Sequence, residues 1–431
     1  MEQQADGAAD EELPEHLLYS ILLLLPLKPL LRFCCVSKKW RDVIASRSFY
    51  LNRRPVLQSS STVSNTAADE VVYCFLGGSK RKMLFSAAIH RIWGGDHDPQ
   101  ESLSVDVPFF SDGSGPHEDD FFYVSSLSCD GLLCVVYKGK GRLANRIIVW
   151  NPYARQCRSV SWPEEFEEDC FYESVFVGFG YDEVVSDYKV VVMKSPDSAS
   201  GEWRIRVTAL RSGSWRAVEQ SSTSTLSLLP SSSVRMCGGF RPVAVEGDIY
   251  WMGKTRSDHA RHILKFSLAE ETLTTLPLPP EVSEKLRTQI PNAELEETGM
   301  SGRQRRVKLG HQQNKSLYLY HYNAYPGYML GCAGVEVWVC SKPGRREEWT
   351  KVVSVSESGI HECVNGGIIR PLGFTAKGDF IMTCYNNNCL GAYIFEKDKL
   401  KILKTYDNLV CPKQSRICGV ALVDRESSIS P

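Results

Sequence analysis

The sequence predicts a mostly β protein in two parts: a small N-terminal α module, then a β-propeller-like domain of about six blades, with five or seven open. Three observations carry that expectation. An apolar stretch cut by prolines fills residues 13–40, a polar Ser/Thr-rich stretch fills 58–70, and beyond it a strand-and-hairpin pattern recurs about every 60 residues. An open two-sheet sandwich is the structural rival, because periodicity alone does not close a ring.

Pro14 can open a helix, since a first-turn N–H has no intrahelical partner, and Asp10, Glu11, Glu12 and Glu15 suit the positive helix end. A helix over about residues 15–25 follows. Between Leu17 and Leu25 only Tyr19 and Ser20 interrupt the apolar run, whereas a surface helix buries a single stripe. Pro26 and Pro29 are expected to break and restart the helix, placing Leu30, Leu31, Phe33, Val36 and Trp40 on one or two further short helices. A module of that size has a small core, so a partner is expected to cover the surplus apolar surface. A secretory signal or membrane span is not expected, because the stretch is cut by Pro26, is too short, and follows acidic residues.

The polar segment reads as a joint that leaves the helical module free to engage elsewhere. After it, short apolar strands begin at residues 131, 188, 247, 315 and 378, and strand-turn-strand hairpins follow at 147–150, 207–210, 264–267, 335–338 and 392–395. A weaker sixth unit lies at 71–75 and 83–85, and a strand around 417–423 is placed to close the ring against it. Trp150, Trp215, Trp251, Trp338 and Trp349 recur at the repeat spacing and read as core, and Gly178 and Gly180 read as a tight turn.

Composition narrows the function. The 50 Lys plus Arg nearly cancel the 51 Asp plus Glu, so no whole-molecule field draws the chain to nucleic acid or anionic lipid. Fifteen cysteines, an odd count with no recognisable secretory signal, point to reduced thiols and to the cytoplasm, the nucleus or both. Gly253-Lys254-Thr255 lacks a phosphate loop's earlier glycine, because position 248 is Asp, and Gly178-Phe179-Gly180 lacks the third glycine of a dinucleotide fingerprint. His259 with His262, and His361 near Cys363, supply two ligands each where a structural zinc needs four. The charge runs at 164–169 and 303–308 read as loops, the basic one within an insertion and able to meet an acidic partner or serve as a nuclear import signal. No cofactor, metal or catalytic residue is expected.

Two resemblances join this reading. Leu13-Pro14, Ile21-Leu22, Leu25-Pro26, Leu30 and Val36-Ser37-Lys38-Lys39-Trp40 resemble the F-box, a three-helix clasp that binds the Skp-type adaptor of a cullin ubiquitin ligase. Over roughly residues 125–400, Ser128-Cys129-Asp130-Gly131, Trp150-Asn151-Pro152, Gly178 to Asp182 with Asp187-Tyr188-Lys189, Ser214-Trp215-Arg216 and Arg370-Pro371-Leu372-Gly373-Phe374 are similar to the F-box-associated domain of plant F-box proteins. The match departs from the family at polar insertions over 92–120 and 281–312.

Joined to the composition and repeat pattern, the resemblance gives an expected disordered N-terminus at 1–10, F-box at 11–55, linker at 56–70, propeller-like domain at 71–424 and disordered tail at 425–431. It implies a non-catalytic substrate-recognition subunit of a Skp-cullin-F-box ubiquitin ligase, the propeller holding an unidentified target protein. A non-proteolytic F-box scaffold, or a propeller binding a small ligand or glycan, are the alternatives. Adaptor docking falls to Leu13, Pro14, Leu17, Ile21, Leu22, Leu25, Pro26, Leu30, Val36, Ser37, Lys38 and Trp40, with Arg41 at the rim. Some of those leucines must instead pack the clasp's own core.

Overall fold

The computed structural model describes residues 14–59, 70–79, 82–91, 103–105, 121–138, 146–166, 175–196, 202–219, 234–236, 242–255, 260–287, 304–312, 316–324, 332–341, 348–355, 368–374, 380–386, 389–396, 399–406, 416–423 and 429. Helix α1 (Glu15–Leu24) starts where Pro14 allows, with the Pro14 carbonyl accepting from Leu17 N at 2.9 Å and Leu18 N at 3.1 Å. It stops because Pro26 forces the preceding Leu25 into extended backbone, with ψ at 144°. Pro26 then occupies the cap of α2 (Leu27–Phe33), so Pro29 sits in the first turn, where its missing N–H costs nothing, and does not restart the helix. Ser37 caps α3 (Lys38–Ile44), its Oγ accepting from Trp40 N at 3.1 Å.

A fourth helix, α4 (Arg47–Ser59), was not anticipated and runs past the expected module boundary at 55. Leu22, Leu30, Ile44 and Phe49 form the core of the four-helix module, with Tyr19, Leu25, Phe33 and Trp40 packed around them. Two edge-to-face aromatic pairs, Tyr19 with Phe49 and Phe33 with Trp40, each have centroids 5.4 Å apart.

The described strands sort into six antiparallel sheets. In chain order these hold Glu70–Ser79, Lys82–Arg91 and Leu103–Val105; then Phe121–Cys129, Leu132–Lys138, Arg146–Asn151 and Gln156–Ser161; then Val175–Asp182, Asp187–Lys194, Arg204–Ala209 and Arg216–Ala217. The fourth holds Val234–Met236 and Val243–Val245, both paired to Asp248–Thr255, with Arg261–Ser267 and Leu273–Leu276. The fifth holds Gln304–Gln312, Ser316–Ala324, Cys332–Ser341 and Glu348–Val355, and the sixth Ile368–Phe374, Phe380–Asn386, Cys389–Glu396 and Lys399–Tyr406. The late strand Arg416–Val423 pairs with Glu70–Ser79 and completes the first sheet.

Neighbouring sheets touch through Arg416–Val423, Phe121–Cys129, Val175–Asp182, Val243–Val245, Gln304–Gln312 and Ile368–Phe374 in turn, and the last of these touches the first. The run of sheets therefore returns on itself. Such radial repetition leaves only short, protected sheet edges.

Side-chain bonds repeat between the sheets. Trp215 Nε1 donates to Ser161 O at 2.8 Å, Trp251 Nε1 to Val177 O at 3.0 Å, and Trp349 Nε1 to Pro277 O at 2.8 Å, each reaching back to the preceding unit. Lys189 of the third sheet is buried with Asp182 at 2.5 Å and also meets Glu271 and Leu268 O of the fourth unit, each at 2.8 Å. Arg216 pairs with the same Glu271.

Several expectations need correction. Gly178 and Gly180 lie within the strand Val175–Asp182, not in a turn. A Cβ at Gly178 would stand 2.4 Å from Trp251 Cζ2, so that glycine is required by close packing between sheets. The basic run is not a free loop, because residues 304–308 belong to the strand Gln304–Gln312, paired in register with Ser316–Ala324. The expected linker begins inside α4. The expected disordered tail contains Ile429, which is 2% exposed in the core shared by the second and third sheets. Tyr50 of α4 is buried in that same core, so the helical module is seated on the sheets rather than free of them. Residues 1–10 and 60–69 lie outside the described residues.

Candidate docking surface

Residues three, four and seven apart share a helix face, and α1 uses that spacing twice. Leu18, Leu22 and Leu25 turn toward the module core, where Leu22 is 1% exposed. Leu17, Ile21 and Leu24 form the second stripe, and they remain 45%, 48% and 56% exposed. Neighbouring positions on a helix differ by about 100°, so the two stripes stand side by side rather than merging. The outer one has no cover within the described residues.

The turn between α2 and α3 adds a second apolar point. Val36 is 62% exposed there. Its backbone is held on both sides: the Ser37 cap fixes the start of α3, and Arg41 Nε donates to Cys34 O at 3.3 Å. Lys39 pairs with Glu15 across the starts of α3 and α1. The hydrogen bond and charge of Lys39 hold the Glu15 carboxyl below its usual range. Partial burial, then the neighbouring Cys35, push the Cys34 thiol upward, which disfavours a thiolate.

The structure thus divides the predicted docking residues. Pro14, Leu17, Ile21, Pro26, Val36 and Lys38 are exposed; Leu22 and Leu30 are core; Leu25 and Trp40 are half-buried against that core; Ser37 is a cap. Leu13 lies outside the described residues. Leu24 was missed, although its spacing from Leu17 and Ile21 was the available signal.

The Gly-Lys-Thr motif and His262 lie on strands. Gly253, Lys254 and Thr255 end the strand Asp248–Thr255, and among the described residues the next element is the strand Arg261–Ser267 rather than a helix whose N-terminus could meet a phosphate. His262 lies on the strand Arg261–Ser267, and His259, His361 and Cys363 fall outside the described residues. Among the described residues no three potential metal ligands converge. None of the described helices is long and apolar enough to cross a membrane.

Comparison with known proteins agrees with this division of the chain. Residues 11–52 match the F-box domain, and residues 101–419 match the F-box associated beta propeller domain. The chain belongs to the F-box associated beta propeller family. An F-box/kelch-repeat protein of Arabidopsis thaliana is 28% identical over 272 residues, covering 62% of this chain and 65% of that protein. An F-box protein of the same plant is 27% identical over 280 residues, covering 62% of this chain and 63% of its own length. The chain thus spans under two thirds of these curated relatives. Among solved structures, TolB from Acinetobacter baumannii aligns with 87% of this chain and 72% of its own at a TM-score of 0.40 and 8% identity.

Within the family assignment, the matched F-box segment contains α1, α2, α3 and the first half of α4. The exposed stripe and Val36 therefore lie on the F-box, not on the propeller.

Proposed function

We propose that the chain is the substrate-recognition subunit of a Skp-cullin-F-box ubiquitin ligase. The observation that carries this reading is the uncovered apolar stripe Leu17, Ile21 and Leu24 on an F-box whose core is already complete without it. A Skp-type adaptor covers that stripe and Val36, and Pro14 and Pro26 flank the contact. The propeller holds a target protein. No bond is made or broken by this chain; it acts by bringing a target lysine close to a charged conjugating enzyme, which raises the effective concentration of the reactants. The cytoplasm, the nucleus or both would be its place of action, consistent with fifteen cysteines.

The test is reconstitution with a purified Skp-type adaptor and cullin. The expected result is a stoichiometric complex with the intact chain that is lost when Leu17, Ile21 and Leu24 become alanine. Equal binding by both proteins would overturn the docking assignment. An adaptor complex that never recruits cullin would overturn the ligase assignment and favour a scaffold.

A further inference from the structure

Helix α4 has two occupied faces. Toward the F-box, Phe49 enters the core, Asn52 Nδ2 donates to Tyr19 Oη at 3.0 Å, and Arg53 Nη2 donates to Leu25 O at 2.8 Å. Toward the propeller, Tyr50 is buried in the core of the second and third sheets and Leu51 packs beside it. Positions 49, 52 and 53 share one side of a helix, and 47, 50 and 51 share the other. The helix therefore lies between the two domains.

Arg47 makes the polar part of this junction. Its Nε donates to Asp130 Oδ2 at 2.6 Å, its Nη1 donates to Glu183 Oε1 at 2.7 Å, and its guanidinium carbon lies 3.8 Å from the centroid of the Tyr181 ring. Asp130 belongs to the second sheet, whereas Glu183 and Tyr181 belong to the third unit, so one side chain spans both. Its acceptor is prepared in advance. Asp130 stands in a two-residue hairpin with φ of 53°, followed by Gly131 at φ of 80°, and its Oδ2 also accepts from Tyr188 Oη at 3.0 Å. Burial, then the charge of Asp130, push the Tyr188 hydroxyl far up, so it remains a donor.

The same core is finished from a distant point in the chain. Ile429 is buried in it, and Asn151 Nδ2 donates to Ile429 O at 2.8 Å. Asn151 is itself held, because its Oδ1 accepts from Tyr153 N at 2.9 Å and Ala154 N at 3.0 Å. A helix that presents a charged fork, a buried aromatic ring and a leucine to two sheets at once has little freedom to pivot.

We propose that Arg47 and Tyr50 lock α4 to the second and third sheets, so that the docking stripe on α1 and the propeller keep one relative orientation. Arg47 is then a positioning residue for ubiquitin transfer. This rests on the ligase reading above. With the adaptor and the target held at a constant angle, only lysines within a narrow zone meet the conjugating enzyme.

The test uses the full chain, with spin labels introduced through unnatural amino acids at Lys38 on α3 and Arg158 on the second sheet, and pulsed electron resonance to read their separation. A single narrow distance distribution is expected for the parent and loss of that narrow peak for Arg47→Ala. Arg47→Lys keeps a charge beside Asp130 and so protects folding, but it cannot serve Asp130, Glu183 and Tyr181 together; its distribution should fall between the two. In the reconstituted ligase, mapping the chain's own modified lysines should show a restricted set for the parent and a wider one for Arg47→Ala, at unchanged adaptor affinity. Parent-like distributions in both variants would overturn the lock. The distance measurement needs no adaptor, so its failure is separable from failure of docking, which the stripe variant reports.

Discussion

Replacing Leu17, Ile21 and Leu24 together by alanine should separate docking from folding. These side chains are 45%, 48% and 56% exposed, so about half of each remains to be buried by a partner. Full burial of such a side chain is worth about 1.5–3 kcal/mol, so the remaining half contributes roughly 1 kcal/mol each. Three of them total about 3 kcal/mol, which is a loss of roughly a hundredfold in adaptor affinity. Folding should barely notice. None of the three belongs to the core of Leu22, Leu30, Ile44 and Phe49, and exposed substitutions usually change stability by about 0.5 kcal/mol or less. Isothermal titration with purified Skp-type adaptor measures the first quantity, and thermal unfolding of the free chain the second. An affinity within about threefold of the parent, at unchanged thermal midpoint, would refute the assignment of this stripe as the contact.

Leu22→Ala should do the reverse, because it empties a site that is 1% exposed: about 2–5 kcal/mol of F-box stability is lost, read from the urea midpoint of the helical signal. Gly178→Ala should cost about 1–3 kcal/mol, since the new Cβ meets Trp251 Cζ2 at 2.4 Å and Ile249 Cγ2 at 2.9 Å; combined with Ile249→Ala it should cost less than the sum of the two single losses in chemical denaturation, because the second change removes one of the clashing groups. Acid should weaken the contact between the third and fourth sheets. Burial opposes the charge on Glu271, but its hydrogen bonds and charge interactions with Arg216 and Lys189 outweigh that and hold its pKa below 4.5. A carboxylate lowered on folding stabilises fully above its unfolded value, and that contribution is lost as pH falls through the folded one. Urea midpoints should therefore decline below about pH 4.5, and Glu271→Gln should flatten the decline; parallel profiles for parent and variant would contradict the assignment.

The helical module was legible where local rules operate. Pro14 starts α1, Pro26 ends it, and Ser37 caps α3, because each acts on backbone groups within a few residues. Pro29 was misread as a break because its effect depends on where the helix begins, and α2 begins at Leu27. Strand positions were legible from their repeat and turn chemistry. Gly178 was not, since a glycine in a turn and a glycine under a tryptophan from the next sheet look alike in sequence. Leu22 and Ile21 show the same limit in the candidate site: adjacent, equally apolar, one core and one surface.

By itself the sequence determined that residues 13–40 hold more apolar surface than a small module can use, and that the rest repeats as strands and hairpins. Both are properties of local spacing and composition. Only the tertiary structure decided which leucines face outward and how the F-box is seated. Asp130 is 83 residues from Arg47, and Ile429 is 278 residues from Asn151, so neither contact leaves a mark in any local pattern. The strand Arg416–Val423 had to return to Glu70–Ser79, and α4 had to settle across two sheets, before those partners could meet.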